Sequence, residues 1–312
     1  MVFENIYILG AGAIGKALAA FLRQQHQPAT LVRASTSLSK KQDEQVVVNL
    51  NSGEQVIATV PVTSLDLEAQ LNGLVVIATK SFGNAALAKQ LQHKAQGPLV
   101  VLQNGLGIEQ PFLEAQLPEV HRCVLLATSQ QQADGSVRFK LVSDSPIGVV
   151  RGTDALLTRA VDALTTPLFP FKTVADIQPY VWKKAAANSV FNSICPLLEV
   201  DNGIFHRNTT ALALAERVVR ECVAVAHAHG VVLQINEVLE SILQISRASD
   251  GQWISTLQDI RHGRETEIDT LNLAFARLAQ QLLPAVPVTN TQLLGELVQL
   301  KATLSRTHQG IR

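Results

Sequence analysis

The sequence predicts an α/β fold: a doubly wound, largely parallel sheet in the first half of the chain, followed by an all-helical C-terminal domain. Three observations carry this. Short apolar runs alternate with helix-length segments through the first half, the pattern of strands joined by crossover helices. From about Asp176 onward helical periodicity takes over and strand signals almost vanish. At 312 residues the chain is long for one domain and suits two.

NIYILG (5–10) reads as a buried strand and the pattern from Ala13 to about His26 as a helix. Further strands are expected at 29–33, 55–60, 74–79, 98–103 and 122–128, with helix-length segments at 84–95 and 108–116. Within 129–150, ADG (133–135) separates a polar run from an apolar one, predicting a hairpin at the sheet edge. The second half predicts helices over 177–198, 210–229, 235–247, 252–262, 264–283 and 290–306. DNG (201–203), HG (229–230) and LPAVP (283–287) punctuate them. The expected domains are 1–175 and 176–312.

Composition excludes several classes. Lys+Arg and Asp+Glu are equal at 26 each, so no basic excess is available for a nucleic-acid footprint, and the pair Lys183–Lys184 is too small to make one. Cys123, Cys195 and Cys222 are scattered, no CxxC occurs, and no Cys/His cluster has ligand spacing. No metal site is expected, and a reduced, cytoplasmic protein is the simplest reading. His227 and His229 are two positions apart on an expected helix, so they point to different faces. No apolar run approaches the ~18–20 residues of a membrane span, and the N-terminus, with Glu4 and no basic region, reads as neither signal nor transit peptide.

GAGAIG (10–15) fits the dinucleotide fingerprint between a strand and a helix, as in a Rossmann-type domain. Gly10 permits the tight turn, Gly12 the approach of backbone to a pyrophosphate, and Gly15 close helix–strand packing. Ala11, Ala13 and Ile14 complete the loop that presents free N–H groups to the phosphates. An NAD-preferring site usually carries an acid at the end of the second strand. Here that position is Arg33, and no acid follows until Asp43. Arginine there attracts a 2′-phosphate, so NADP(H) is the expected cofactor and 1–175 the NADP-binding domain. Lys80 and Asn104 follow two further strands at the same sheet edge, where ligands of such sheets bind.

In the helical half, Lys184, Asn188 and Asn192 recur every fourth residue and form one slanting stripe on a helix. Each asparagine costs helix propensity, of order half a kcal/mol, and its amide is a directional donor–acceptor group. A solvated face would use Glu and Lys instead. A second polar cluster, STLQDIRHGRETEID (255–269), contains Ser255 and Glu267.

These pieces resemble the ketopantoate reductase (2-dehydropantoate 2-reductase) family, among the 6-phosphogluconate dehydrogenase-like two-domain reductases. The matching residues are GAGAIG, Lys80, QNGLG (103–107), WKKxxxNxxxN (182–192), NG (202–203), and SxLQDIR with TEID at 255–269. The resemblance implies NADPH-dependent reduction of ketopantoate to pantoate in pantothenate biosynthesis, with the site in the cleft between two domains. It implies Lys184 as general acid and Asn188, Asn192, Asn202 and Ser255 as substrate-binding residues. Asn104 would lie near the nicotinamide, Lys80 and Glu267 would contact cofactor or organise the site, and Arg33 would hold the 2′-phosphate. The chain departs from the family pattern at Ser193-Ile194-Cys195-Pro196 and at Leu273, close to where substrate or domain packing would be decided. A reductase of another 2-keto acid or an imine keeps the same chemistry. A non-catalytic NADP(H)-binding regulator has no reason to keep Lys184, Asn188, Asn192 and Glu267. The apolar helices late in the chain offer a surface for a homodimer.

Overall fold

A computed structural model describes residues 3–310. The chain divides into two compact units, Met1–Gln103 with Ile108–Ile177, and Asn104–Gly107 with Gln178–Arg312.

The first unit is α/β. Its elements are β1 (Ile6–Leu9), α1 (Ala13–Gln24), β2 (Ala29–Arg33), β3 (Gln42–Leu50), β4 (Gln55–Ser64), β5 (Leu74–Ile77), α2 (Asn84–Lys94), β6 (Leu99–Val101), α3 (Gln110–Glu114), β7 (Val120–Cys123), β8 (Ala127–Gln131), β9 (Val137–Leu141), β10 (Ser145–Arg151), α4 (Asp154–Leu164) and β11 (Phe171–Thr173). They form one sheet in the order β11-β10-β7-β6-β5-β1-β2-β4-β3-β9-β8. The run from β7 to β4 is parallel throughout. Antiparallel pairing enters at β3, β10 and the β8–β9 hairpin, so the whole sheet is mixed. The chain leaves β1 for β2 on one side and returns to β5 on the other. That reversal leaves a crevice at the carboxyl ends of β1 and β5.

Period-two alternation on buried strands fills both faces. Ile6, Ile8, Leu74 and Val76 pack with α1 and α4, while Leu9, Val75 and Ile77 pack with α2 and α3. Phe21 of α1 meets Phe139 of β9 edge-on at 5.0 Å, and Phe139 meets Phe169 at 5.0 Å.

The second unit is helical: α5 (Gln178–Leu198), α6 (Ile204–Arg207), α7 (Thr209–Ala228), α8 (Ile235–Ala248), α9 (Ser255–Arg261), a 3₁₀ turn (Ile268–Thr270), α10 (Asn272–Gln280) and α11 (Thr289–Gly310). No strand follows β11 among the described residues. α5 is the central helix, packed by α7, α8, α9 and α11. No helix among the described residues is long and apolar enough to cross a membrane.

Several segments differ from the sequence-based expectation; α4 and β11 form where no element is expected, and three further differences are local. The strand expected at 122–128 is two strands, because the intervening backbone turns to pair elsewhere: Val124 N–H donates to the Pro146 carbonyl and Leu126 N–H to Ser145 Oγ. Residues 42–50 form a strand whose apolar signal is confined to its second half. The helix expected over 264–283 is interrupted at Leu271, with φ −112° and ψ −104°. There the Thr270 carbonyl accepts from Leu106 N–H at 2.8 Å, and Glu267 precedes a 3₁₀ turn instead of sitting inside a helix.

Candidate active site

The fingerprint loop has the form its glycines require. Gly10 has φ +119°, and a Cβ there would lie 2.7 Å from the Ala78 and Thr79 backbone. At Gly15 a Cβ would collide with the Gly10 carbonyl oxygen, whereas at Gly12 it would meet nothing within 4 Å. Gly12 caps α1 without a side-chain bond, and no acid occupies the first turn around Ala13 and Ile14. The free N–H groups and the positive end of the helix dipole therefore face the half-buried Ala11 and the exposed Gly12.

Arg33 ends β2, half-buried, with its Nε buried and without a hydrogen-bond partner. Its guanidinium lies 3.5 Å from the Glu44 carboxylate, whose other oxygen bonds Lys16 Nζ at 2.5 Å. These groups fit a dinucleotide: an open backbone cradle for the pyrophosphate and an unsaturated arginine fork at the ribose end.

Lys80 follows β5 and is exposed, at the start of a 3₁₀ turn. The loop bearing Asn104 is anchored by a buried amide pair that sequence reasoning missed. Asn84 and Gln103 exchange hydrogen bonds of 2.7 Å in both directions. Asn84 Nδ2 also donates to the Ile108 carbonyl at 2.8 Å, and Gln103 Nε2 to Thr79 Oγ1 at 3.2 Å. Buried Arg122 donates to the Gln103 carbonyl. Burial pushes the Arg122 guanidinium below its ordinary value, and Glu109 at 3.8 Å opposes that shift. Both ends of the 103–108 loop are thereby fixed. Residues 104–107 group with the helical unit, where Gly105, at φ +112°, leaves no room for a Cβ beside Thr270.

In the helical unit α5 is buried almost all round. What stays half-buried or exposed before its last turn is Gln178, Pro179, Tyr180, Lys183, Lys184 and Asn188. Tyr180, Lys184 and Asn188 are four apart, so the polar ladder follows an uncovered strip and ends at buried Asn192. Asn192 is held on both sides of its amide: Nδ2 donates to the Asn188 carbonyl at 3.0 Å, and Oδ1 accepts from Thr256 Oγ1 at 2.6 Å. Ser255 begins α9 and is exposed, so its neighbour Thr256 is the residue that reaches the ladder.

Asn202 is fixed by its backbone, donating to the Gln252 carbonyl at 2.9 Å and accepting from Ser246 Oγ at 2.7 Å. Its side-chain Oδ1 is buried with no hydrogen-bond partner. Glu267 is half-buried, and the 3₁₀ turn that follows it packs on α5.

The departures from the family pattern fall in packing. Ser193, Ile194 and Cys195 are buried within α5, and Ser193 Oγ donates to the Ser189 carbonyl at 2.6 Å. Leu273 packs against Ile260, Ile268, Val298 and Ala302. All three cysteines are buried and outside any disulfide, and among the described residues no group of His, Cys, Asp and Glu could hold a metal ion.

A dinucleotide cradle on the parallel centre of a mixed sheet, followed by a helical unit with a lysine–asparagine strip, has the make-up of a two-unit nicotinamide-dependent reductase. The families Ketopantoate reductase PanE/ApbA and Ketopantoate reductase PanE/ApbA C terminal match residues 6–151 and 176–302. A 2-dehydropantoate 2-reductase of Halobacterium salinarum is 30% identical over 308 residues, covering 95% of this chain and 98% of the relative. The fold is shared with a D-mandelate dehydrogenase solved with NADH and anilino(oxo)acetate (TM-score 0.83, 23% identity, 96% of this chain and 99% of that one). It is shared also with a dimeric ketopantoate reductase of Staphylococcus aureus (TM-score 0.80, 19% identity, 96% and 99%). The chain belongs to the ketopantoate reductase family and is an NADP-dependent oxidoreductase.

Proposed function

We propose that the protein reduces 2-dehydropantoate (ketopantoate) to pantoate, the step of pantothenate biosynthesis, with Lys184 as general acid. The observation that carries this reading is the uncovered strip of α5, where Tyr180, Lys184 and Asn188 follow one another at helical spacing on a helix that is otherwise mostly buried.

When bound, NADPH supplies the hydride that forms the new C–H bond at C2 of the keto acid. The carbonyl π pair then moves onto oxygen, and an ammonium beside that oxygen stabilises the charge and delivers a proton. The lysine then regains its proton from solvent. Asn188, Asn202 and Ser255 offer neutral hydrogen-bonding groups for the substrate. Asn192 acts through its bond to the Asn188 carbonyl, holding the helix at the substrate-binding end. Glu267 orients the lysine or contacts cofactor. On the nucleotide, Gly10–Gly15 cradle the pyrophosphate, Arg33 takes the 2′-phosphate, and Lys80 and Asn104 contact the remainder.

The experiment is NADPH oxidation by purified protein on ketopantoate and a panel of other 2-keto acids. The highest kcat/KM is expected on ketopantoate. Turnover confined to another acid would move the assignment to a paralogous reductase, and turnover on none would favour a non-catalytic NADP(H)-binding regulator.

A homodimer is supported by Leu293, Leu297, Leu300 and Leu304. They are exposed along α11 at spacings of four, three and four, the seam one helix offers to an identical partner.

A further inference from the structure

We infer that Glu44 sets the cofactor preference of this chain: it is a built-in counter-anion that competes with the 2′-phosphate for Arg33 and Lys16. The inference rests on the proposed phosphate role of Arg33. β3 carries Glu44, Val46 and Val48 on one face, the face on which α1 packs. Val46 and Val48 are buried there, whereas Glu44, two residues earlier, lies under the first turn of α1 and meets Lys16 at 2.5 Å. Its second oxygen stands 3.5 Å from the Arg33 guanidinium. One carboxylate therefore faces two cations, one from α1 and one from the end of β2.

The acid that an NAD site places at the end of β2 is missing from that strand. The fold returns one to the same place from β3. A carboxylate there has two opposite effects. It repels the doubly charged 2′-phosphate and partly neutralises the arginine that would bind it. It also offers an acceptor to the free 2′-hydroxyl of NADH. The contact to Glu44 is long at 3.5 Å and the Arg33 side chain stays 34% exposed, so Glu44 does not saturate the guanidinium. A phosphate can still be bound there, at the cost of disturbing the existing pair.

The test measures binding of 2′,5′-ADP and of 5′-AMP to the full chain by calorimetry, which isolates the ribose end and needs no turnover. The readout is the ratio of the two dissociation constants, 5′-AMP over 2′,5′-ADP. For Glu44→Gln, an isosteric change, the ratio should rise at least about 7-fold, the figure for removing a like charge about 7 Å from a doubly charged phosphate at the dielectric constant of water. Glu44→Asp, which keeps the charge, should leave it within about threefold, by the same reasoning. A ratio unchanged or lowered in Glu44→Gln overturns the inference. Arg33→Ala is the separate control: a ratio falling toward unity upholds the phosphate role of Arg33, and an unchanged ratio refutes that role whatever Glu44 does.

Discussion

Asn192 owes its orientation to a residue 64 positions away, since the Thr256 hydroxyl donates to its Oδ1 while its Nδ2 reaches back one turn to the Asn188 carbonyl. Thr256→Val keeps the shape and removes the donor, leaving a buried acceptor unsatisfied. Chemical denaturation should show a loss of about 1–3 kcal/mol, and KM for the keto acid should rise if Asn188 shifts with it. A loss below about 0.5 kcal/mol, the floor for a typical hydrogen bond, would mean that water replaces the hydroxyl. The ladder itself was legible in the sequence, because asparagine at helical spacing works against propensity and so needs a reason. Thr256 was not legible: the polar cluster pointed to its neighbourhood, but which of two adjacent hydroxyls faces α5 is decided by helix phase. Glu44 escaped for a similar reason. In QDEQVVVNL the alternation Glu44-Val46-Val48 is present, yet its acidic start reads as solvent-facing until α1 brings Lys16 over it.

β7 shows the same limit for an element. Its residues Val120–Cys123 are all buried, although His121 and Arg122 are polar, so no apolar run announces where the strand begins. Both His121 ring nitrogens are buried without a hydrogen-bond partner. Burial pushes its value below the ordinary 6.5, and Glu119 and Asp154 oppose that shift. In the unfolded chain the ring takes up a proton near ~6.5, while the folded protein resists protonation. Its stability contribution is thus fully present above pH ~6.5 and is lost as pH falls through the lowered native value. Denaturation midpoints at pH 7.5 and 5.5 should separate further for the native chain than for His121→Leu. Equal separations would show that the ring is not a source of acid sensitivity. The central strands and α1, by contrast, follow from local pattern, because their burial on both faces forces continuous apolar runs. The break at Leu271 does not, since its cause is a hydrogen bond from Leu106 that no local periodicity encodes.

For the whole molecule, the alternation of strands and helices followed by helices alone was enough to read an α/β unit and a helical one. The leucines of α11 belong to this scale too, because their exposure has meaning only for an assembly. Light scattering should give twice the chain mass for the native protein and the chain mass for Leu297→Glu; the chain mass for both would remove the dimer. In the proposed mechanism a lysine on the uncovered strip of α5 donates the proton in a ketone reduction. The most direct measurement of that role is steady-state NADPH oxidation with ketopantoate by Lys184→Ala, with the NADPH dissociation constant taken on the same samples. The expected result is a kcat lower by about 10²- to 10⁴-fold, the contribution of a positioned general acid, with NADPH binding changed by less than about twofold. Activity that survives the substitution, or NADPH binding lost in step with it, would contradict the assignment.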